Sequence, residues 1–268
     1  MARLRCASLV AMAVAVGAAM PTGVALASSL PRESAVASAI RPGNPVIRPV
    51  AITVPGVRDA PGSAAKSTNW AGYVVSRGAG TYRSVSASWT EPTARCTSGS
   101  RYAAFWVGLD GYSDQSVEQA GTVADCVGKT AEYQGWYEMY PSAPVFLGRK
   151  VRPRDHLSAS VTFRGTETYI LKLRDSTRGW TRTITRKEPG LDRSSAEVVS
   201  EAPSSQSGVL ALADFGIVNF AAASANATPL GRLHPTKIVM IDGSGRVKDT
   251  ASAISSAGAF HDTWVRLR

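Results

Sequence analysis

Alternation with a period of two runs through most of this chain and constrains its fold more than any other feature. Val85, Ala87 and Trp89 alternate with Ser84, Ser86 and Ser88. Leu157, Ala159, Val161 and Phe163 alternate with Ser158, Ser160, Thr162 and Arg164, and Tyr169, Leu171 and Leu173 alternate with Ile170, Lys172 and Arg174. A strand points successive side chains to opposite faces, so such runs read as half-buried antiparallel strands. Gly165-Thr166 and Ser176-Thr177-Arg178-Gly179 supply turns between them, and Asp242-Gly243-Ser244-Gly245 closes a further run from Lys237 to Ile241. No amphipathic pattern of three helical turns is visible. The expected fold is all-β, a two-sheet antiparallel β-sandwich.

That pattern occupies one domain, from Ser67 to Arg268. What precedes it is different material. Arg3 and Arg5 lead an apolar run from Ala7 to Ala19, and Ala25-Leu26-Ala27 offers a small-x-small cleavage site, so residues 1–27 read as a secretory signal. Residues 28–66 carry Pro31, Pro42, Pro45, Pro49, Pro55 and Pro61 among Ala, Ser and Gly. This composition fits a pro-segment or a flexible linker equally well. The expected product is an exported protein with no membrane span and a secreted location.

Export also frames the cysteines. Cys6 leaves with the signal, so Cys96 and Cys126 remain, and an oxidising compartment makes one disulfide their simplest use. A catalytic thiol is the alternative, but no neighbouring residue activates either cysteine. The net charge is +10, of which Arg3 and Arg5 carry two, leaving +8 on the exported chain. These positive charges are scattered singly rather than gathered in a stripe, so no nucleic-acid partner is expected.

Polar-face residues are unusual in one region. Phe105, Val107 and Leu109 form the apolar side of a strand whose other side carries Trp106, Gly108 and Asp110. A later strand lines up Glu132, Gln134, Trp136, Glu138 and Tyr140 on one face. Aromatic area mixed with carboxylates and amides suits a substrate groove, although a solvated outer face would share that pattern. There is no Gly-x-Ser-x-Gly elbow, no His-Glu-x-x-His and no Cys-x-x-Cys, and the Asp-Thr/Ser-Gly turn of aspartic peptidases is missing. Any hydrolytic chemistry must therefore come from carboxylates and amides, with neither metal nor other cofactor expected.

Five motifs in order then resemble the glutamic peptidases, the eqolisin family. They are Asn69-Trp70-Ala71-Gly72-Tyr73, Phe105-Trp106-Val107-Gly108-Leu109-Asp110-Gly111, Glu118-Gln119-Ala120-Gly121-Thr122, Trp136-Tyr137-Glu138-Met139-Tyr140-Pro141 and Ala196-Glu197-Val198-Val199-Ser200-Glu201. The resemblance covers nearly all of Ser67 to Arg268. It implies a sandwich of the concanavalin A-like lectin and glucanase type, with a catalytic dyad of Gln119 and Glu201. It also places Trp70, Trp106, Asp110, Glu138 and Tyr140 at groove or supporting positions. Met139 departs from the family's Trp, which is expected to change the shape of the groove. Ala202-Pro203 stands where fungal members carry Asp-Phe, so part of a groove wall is expected to be missing. Alternation alone does not separate Glu197 from Glu201, because both fall on one face. The motif favours Glu201.

The expected function is a secreted, monomeric endopeptidase acting on proteins and peptides. A glycan-binding or glycan-cleaving sandwich, suggested by Glu118, Glu132 and Glu138, is a second reading, and an inactive binding module is a third.

Overall fold

The computed structural model describes residues 64–112, 114–205 and 208–267; the signal reading and nearly all of the proline-rich segment fall outside them. In chain order the strands are β1 (Ala65–Ser67), β2 (Trp70–Ser76), β3 (Ser84–Thr90), β4 (Ser100–Arg101), β5 (Ala104–Leu109), β6 (Val117–Val127) and β7 (Thr130–Tyr140). They continue as β8 (Val145–Lys150), β9 (His156–Phe163), β10 (Thr168–Asp175), β11 (Trp180–Lys187), β12 (Ser195–Glu201), β13 (Ser204–Ser205) and β14 (Gly208–Val209). The last are β15 (Ile217–Ala225), β16 (Thr228–Pro229), β17 (Thr236–Ile241), β18 (Val247–Ala251) and β19 (Phe260–Trp264). One 3₁₀ turn, Leu230–Arg232, is the helical element among the described residues.

Pairing arranges the long strands in two layers. The first runs β1, β17, β2, β12, β5, β6, β7, β8. The second runs β19, β15, β3, β9, β10, β11. Strand β18 pairs with both β17 and β19 and carries the hydrogen bonding from one layer to the other. The pairings are antiparallel except β1 with β17, so the sheet already includes Ala65 and Lys66, ahead of Ser67.

The serine-spaced run in β3 buries Val85, Ala87 and Trp89 while its serines are half-buried, as alternation requires. β9 and β10 do the same with Leu157, Ala159, Val161 and with Tyr169, Leu171, Leu173. These side chains meet Phe105, Val107 and Leu109 of β5 and form the core between the layers. Each fully buried side chain of this size contributes roughly 1.5–3 kcal/mol. Met139 belongs to this core and is only 7 % exposed, so its replacement of Trp does not reach the groove face. Cys96 and Cys126 form the disulfide, which ties the segment before β4 to the end of β6.

The first layer differs from the second in being buried on both faces. Its outer face carries a second apolar cluster that includes Trp70, Trp106, Trp136, Val123 and Val199. β12 accordingly has no exposed position along its whole length. A strand buried on both sides loses the alternation signal.

Candidate active site

The site is built on the outer face of β2, β12, β5, β6 and β7. Two rows of paired residues cross it. In one, Glu197 of β12 pairs with Gly108 of β5, Gly108 with Gln119 of β6, and Gln119 with Glu138 of β7. In the other, Trp70 of β2 pairs with Glu201 of β12, and Glu201 with Ala104 of β5. Gln119 and Glu201 therefore share a face, with β5 between them and an offset of four residues along that strand.

Trp106 sits between the two rows. Its indole N–H donates to Glu201 Oε2 at 2.9 Å. Its opposite edge lies over Gly108, where a Cβ would come within 2.7 Å of Trp106 Cζ3. Asn69 Nδ2 donates to the other oxygen, Glu201 Oε1, at 3.2 Å, and the Ser67 hydroxyl donates to Asn69 Oδ1 at 3.1 Å and so orients that amide. Trp70 meets Trp106 edge-to-face at 4.8 Å. A carboxylate accepts hydrogen bonds and cannot donate them, so this pair of N–H donors suits an ionised Glu201. Asn69 opens the first motif, yet nothing in the sequence assigns it to Glu201, 132 residues away.

Gln119 is held just as firmly. Its Nε2 donates to Glu138 Oε2 at 2.7 Å. A primary amide carries two N–H bonds, so this contact leaves the second for another acceptor. Gln119, Glu138 and Glu201 are 0–1 % exposed. Trp70 Nε1 and Trp136 Nε1 are buried and have no hydrogen-bond partner among the described residues. Unspent buried donors are costly unless something satisfies them, and carbonyls of an incoming chain would do so.

Other sequence candidates land differently. Asp110 ends β5 at a φ of 68° and turns its carboxylate onto backbone N–H groups of Arg193 and Ser194, each 2.6 Å away. It pins the loop at residues 193 and 194, a supporting position, and burial followed by the charge of Asp114 pushes it up to about 6. Tyr140 pairs with Val117, is partly buried and packs against the outer cluster. Glu118 points to the inner face, opposite to Gln119, so it makes no pair with Glu138 for glycoside chemistry. Burial and then Asp110 raise its carboxyl well above the ordinary range. Glu197 is fully buried on the same face as Gln119, and burial, reinforced by Asp110, raises it likewise. No cluster of three or more His, Cys, Asp or Glu among the described residues is arranged to hold a metal ion.

Comparison with known proteins follows the same site. A family model described as the Peptidase A4 family matches residues 68–263. Among curated proteins, none matches. Among solved structures, scytalido-glutamic peptidase with a transition state analog inhibitor is similar at a TM-score of 0.64 and 21 % identity, over 74 % of this chain and 99 % of that one. SCP-B, a member of the eqolisin family of peptidases in complex with the tripeptide Ala-Ile-His, gives a TM-score of 0.60 at 20 % identity, with the same coverage of both chains. Aspergilloglutamic peptidase from Aspergillus niger gives a TM-score of 0.55 at 24 % identity, over 62 % of this chain and 99 % of that one. At such identities the structural likeness speaks for the shared β-sandwich fold.

Proposed function

Because this chain belongs to the peptidase A4 family, the glutamic peptidases or eqolisins, we propose that it is a secreted endopeptidase in which Glu201 activates water and Gln119 stabilises the oxyanion. Ionised Glu201 takes a proton from water as the water oxygen attacks the scissile carbonyl carbon. The carbonyl oxygen becomes an oxyanion and accepts the second N–H of Gln119, the one that Glu138 leaves unspent. Protonated Glu201 then gives its proton to the departing amine, the C–N bond breaks, and Glu201 returns to its starting state. One preorganised donor of this kind is worth roughly 3 kcal/mol in the transition state. An amide suits this role because it has no proton to lose as pH changes.

The observation that carries the reading is the pair of donors, Trp106 Nε1 and Asn69 Nδ2, converging on the two oxygens of a buried Glu201. Trp70 and Trp136 add apolar area and unspent indole N–H groups for the peptide backbone of the substrate. Residues 28–66, by their composition, are read as a pro-segment removed on activation.

The test is digestion of a denatured protein across acid pH by the purified, acid-incubated protein, with serine, cysteine and metal inhibitors present. Activity is expected to persist under all three inhibitors. Glu201→Gln and Gln119→Ala are each expected to abolish it with the fold intact by circular dichroism. Digestion by Glu201→Gln at the parental rate would remove Glu201 from the mechanism. Incubation should also release a fragment ending before residue 64 as activity rises.

A further inference from the structure

Two buried polar groups on the catalytic face lack a hydrogen-bond partner and stand opposite each other. Gln119 Oε1 has none among the described residues, and neither carboxyl oxygen of Glu197 has one. Both residues are 0 % exposed. They occupy one row of the sheet, separated only by Gly108. Glu138 on the β7 side takes up Gln119 Nε2, so Oε1 is the end of the amide left for a partner elsewhere in the row. Glu197 reaches toward β5 from the other direction, because a Cβ on Gly108 would lie 2.9 Å from Glu197 Oε1. The missing side chain at position 108 gives Glu197 Oε1, beside the edge of the Trp106 ring, the space to reach over β5 toward the Gln119 side.

We infer that Glu197 works as a neutral acid whose O–H donates to Gln119 Oε1 across Gly108, directly or through one water, making it a positioning residue for the amide. The inference rests on the glutamic-peptidase reading above and adds a group to it. Orphaned buried acceptors are costly, and pairing an O–H with a carbonyl removes two such costs at once. The charges around Glu197 favour the neutral form. Asp110 and Asp114 follow β5, Glu118 lies on β6, and each raises it further. Glu138 and Glu201 add two more acids to the same face. The result is a chain from Glu197 through Gln119 to Glu138 in which accepting at the carbonyl strengthens the amide's N–H bonds. One of those N–H bonds goes to Glu138 and the other is the one offered to the oxyanion.

The arrangement separates the two glutamates of β12 by role. Trp106 stands between them, with its N–H on Glu201 and its far edge beside Gly108 and Glu197. The Ser195 hydroxyl lies close enough to the Glu197 carboxyl to favour its ionised form and opposes the rise, although neither group makes a well-aligned hydrogen bond among the described residues.

The test compares Glu197→Gln, Glu197→Leu, Ser195→Ala and Glu201→Gln in the activated enzyme, with kcat, KM and the pH profile measured on one peptide substrate. Glu197→Leu is expected to lower kcat roughly 10- to 100-fold with little change in KM, a part of the 10²–10³-fold cost of losing an oxyanion donor outright. Glu197→Gln, which keeps an N–H donor and cannot ionise, is expected to keep most of kcat and to extend activity toward higher pH. Ser195→Ala should leave both variants' behaviour unmatched, with kcat near the parent's. An unshifted profile in Glu197→Gln together with a parental kcat in Glu197→Leu would overturn the inference. So would a Glu197→Gln variant as inactive as Glu201→Gln, which would make Glu197 the base. If Glu201→Gln alone stays active, it is the underlying dyad that fails.

Discussion

At the scale of single residues, the site depends on donors that the family motifs contain but do not explain. Trp106→Phe keeps the apolar ring against Trp70 and removes only the N–H that reaches Glu201. A hydrogen bond to a charged group is worth about 1.5–3 kcal/mol, so kcat should fall roughly 10- to 100-fold while thermal stability stays close to the parent's. Steady-state kinetics beside a melting curve separates the two, and a parental kcat would count against Trp106 as the residue orienting Glu201. Asp110 predicts the reverse pattern. Asp110→Ala strands a buried backbone N–H at residue 194, worth about 1–3 kcal/mol, and a partly buried one at residue 193, so the melting temperature should drop markedly. Sequence reading placed Asp110 on the groove side by strand parity, but the chain leaves the strand there with positive φ. Its partners lie 83 and 84 residues away, a distance no local pattern encodes.

At the scale of strands, alternation made the three central strands of the second layer, β3, β9 and β10, legible almost residue by residue. β3, β9 and β10 begin and end within about a residue of their serine- and lysine-spaced runs. The first layer was legible through its motifs instead, because burial on both faces erases the polar half of the pattern. Parity identified the shared face of Glu197 and Glu201, yet their different neighbours emerge only from how β12, β5 and β6 are aligned. Two of the motif glycines, Gly121 and Gly108, show what that alignment demands. A Cβ at Gly121 would lie 2.1 Å from the Phe105 carbonyl oxygen and 2.5 Å from Trp106 Cβ, so Gly121→Ala must push β5 and β6 apart. At Gly108 the obstacles are side chains, the Trp106 ring and the Glu197 carboxyl, which can shift. Gly121→Ala should therefore reduce soluble yield and melting temperature, whereas Gly108→Ala should fold and lose kcat. Equal melting losses in both variants would contradict that division.

At the scale of the whole molecule, the interior is unusually acidic for a chain of net charge +10, and this sets how stability responds to pH. Burial pushes Glu91 up to about 8 and Asp262 up to about 7, and it raises Asp125 and Asp249 well above the ordinary carboxylate range. Asp249 and Asp262 come from neighbouring strands β18 and β19 and both contact the Ser200 hydroxyl, one residue before Glu201. That hydroxyl has a single hydrogen to donate, so at least one of the two acids must keep its own proton to complete the pair. Tyr73 of β2 feels the charge of Asp262, while Lys237 beside Asp262 and Lys248 beside Asp249 favour ionisation and offset part of the rise that burial causes. In the unfolded chain these acids ionise near pH 4, whereas the folded chain holds the proton of Asp262 to about 7 and that of Glu91 to about 8, and raises Asp125 and Asp249 in the same direction. Between those limits the folded state binds more protons, so stability is fully present below about pH 4 and is lost as pH rises. Lys248, lowered to about 8 by burial, opposes the trend only above that pH. The melting temperature should therefore be higher at pH 4 than at pH 8, by about 2–4 °C for each kcal/mol involved. The double variant Asp249→Asn, Asp262→Asn should flatten the decline without moving the acid end. A melting temperature that rises from pH 4 to pH 8 would show that these buried acids do not govern the fold, and an unchanged slope in the double variant would clear the Ser200 pair in particular.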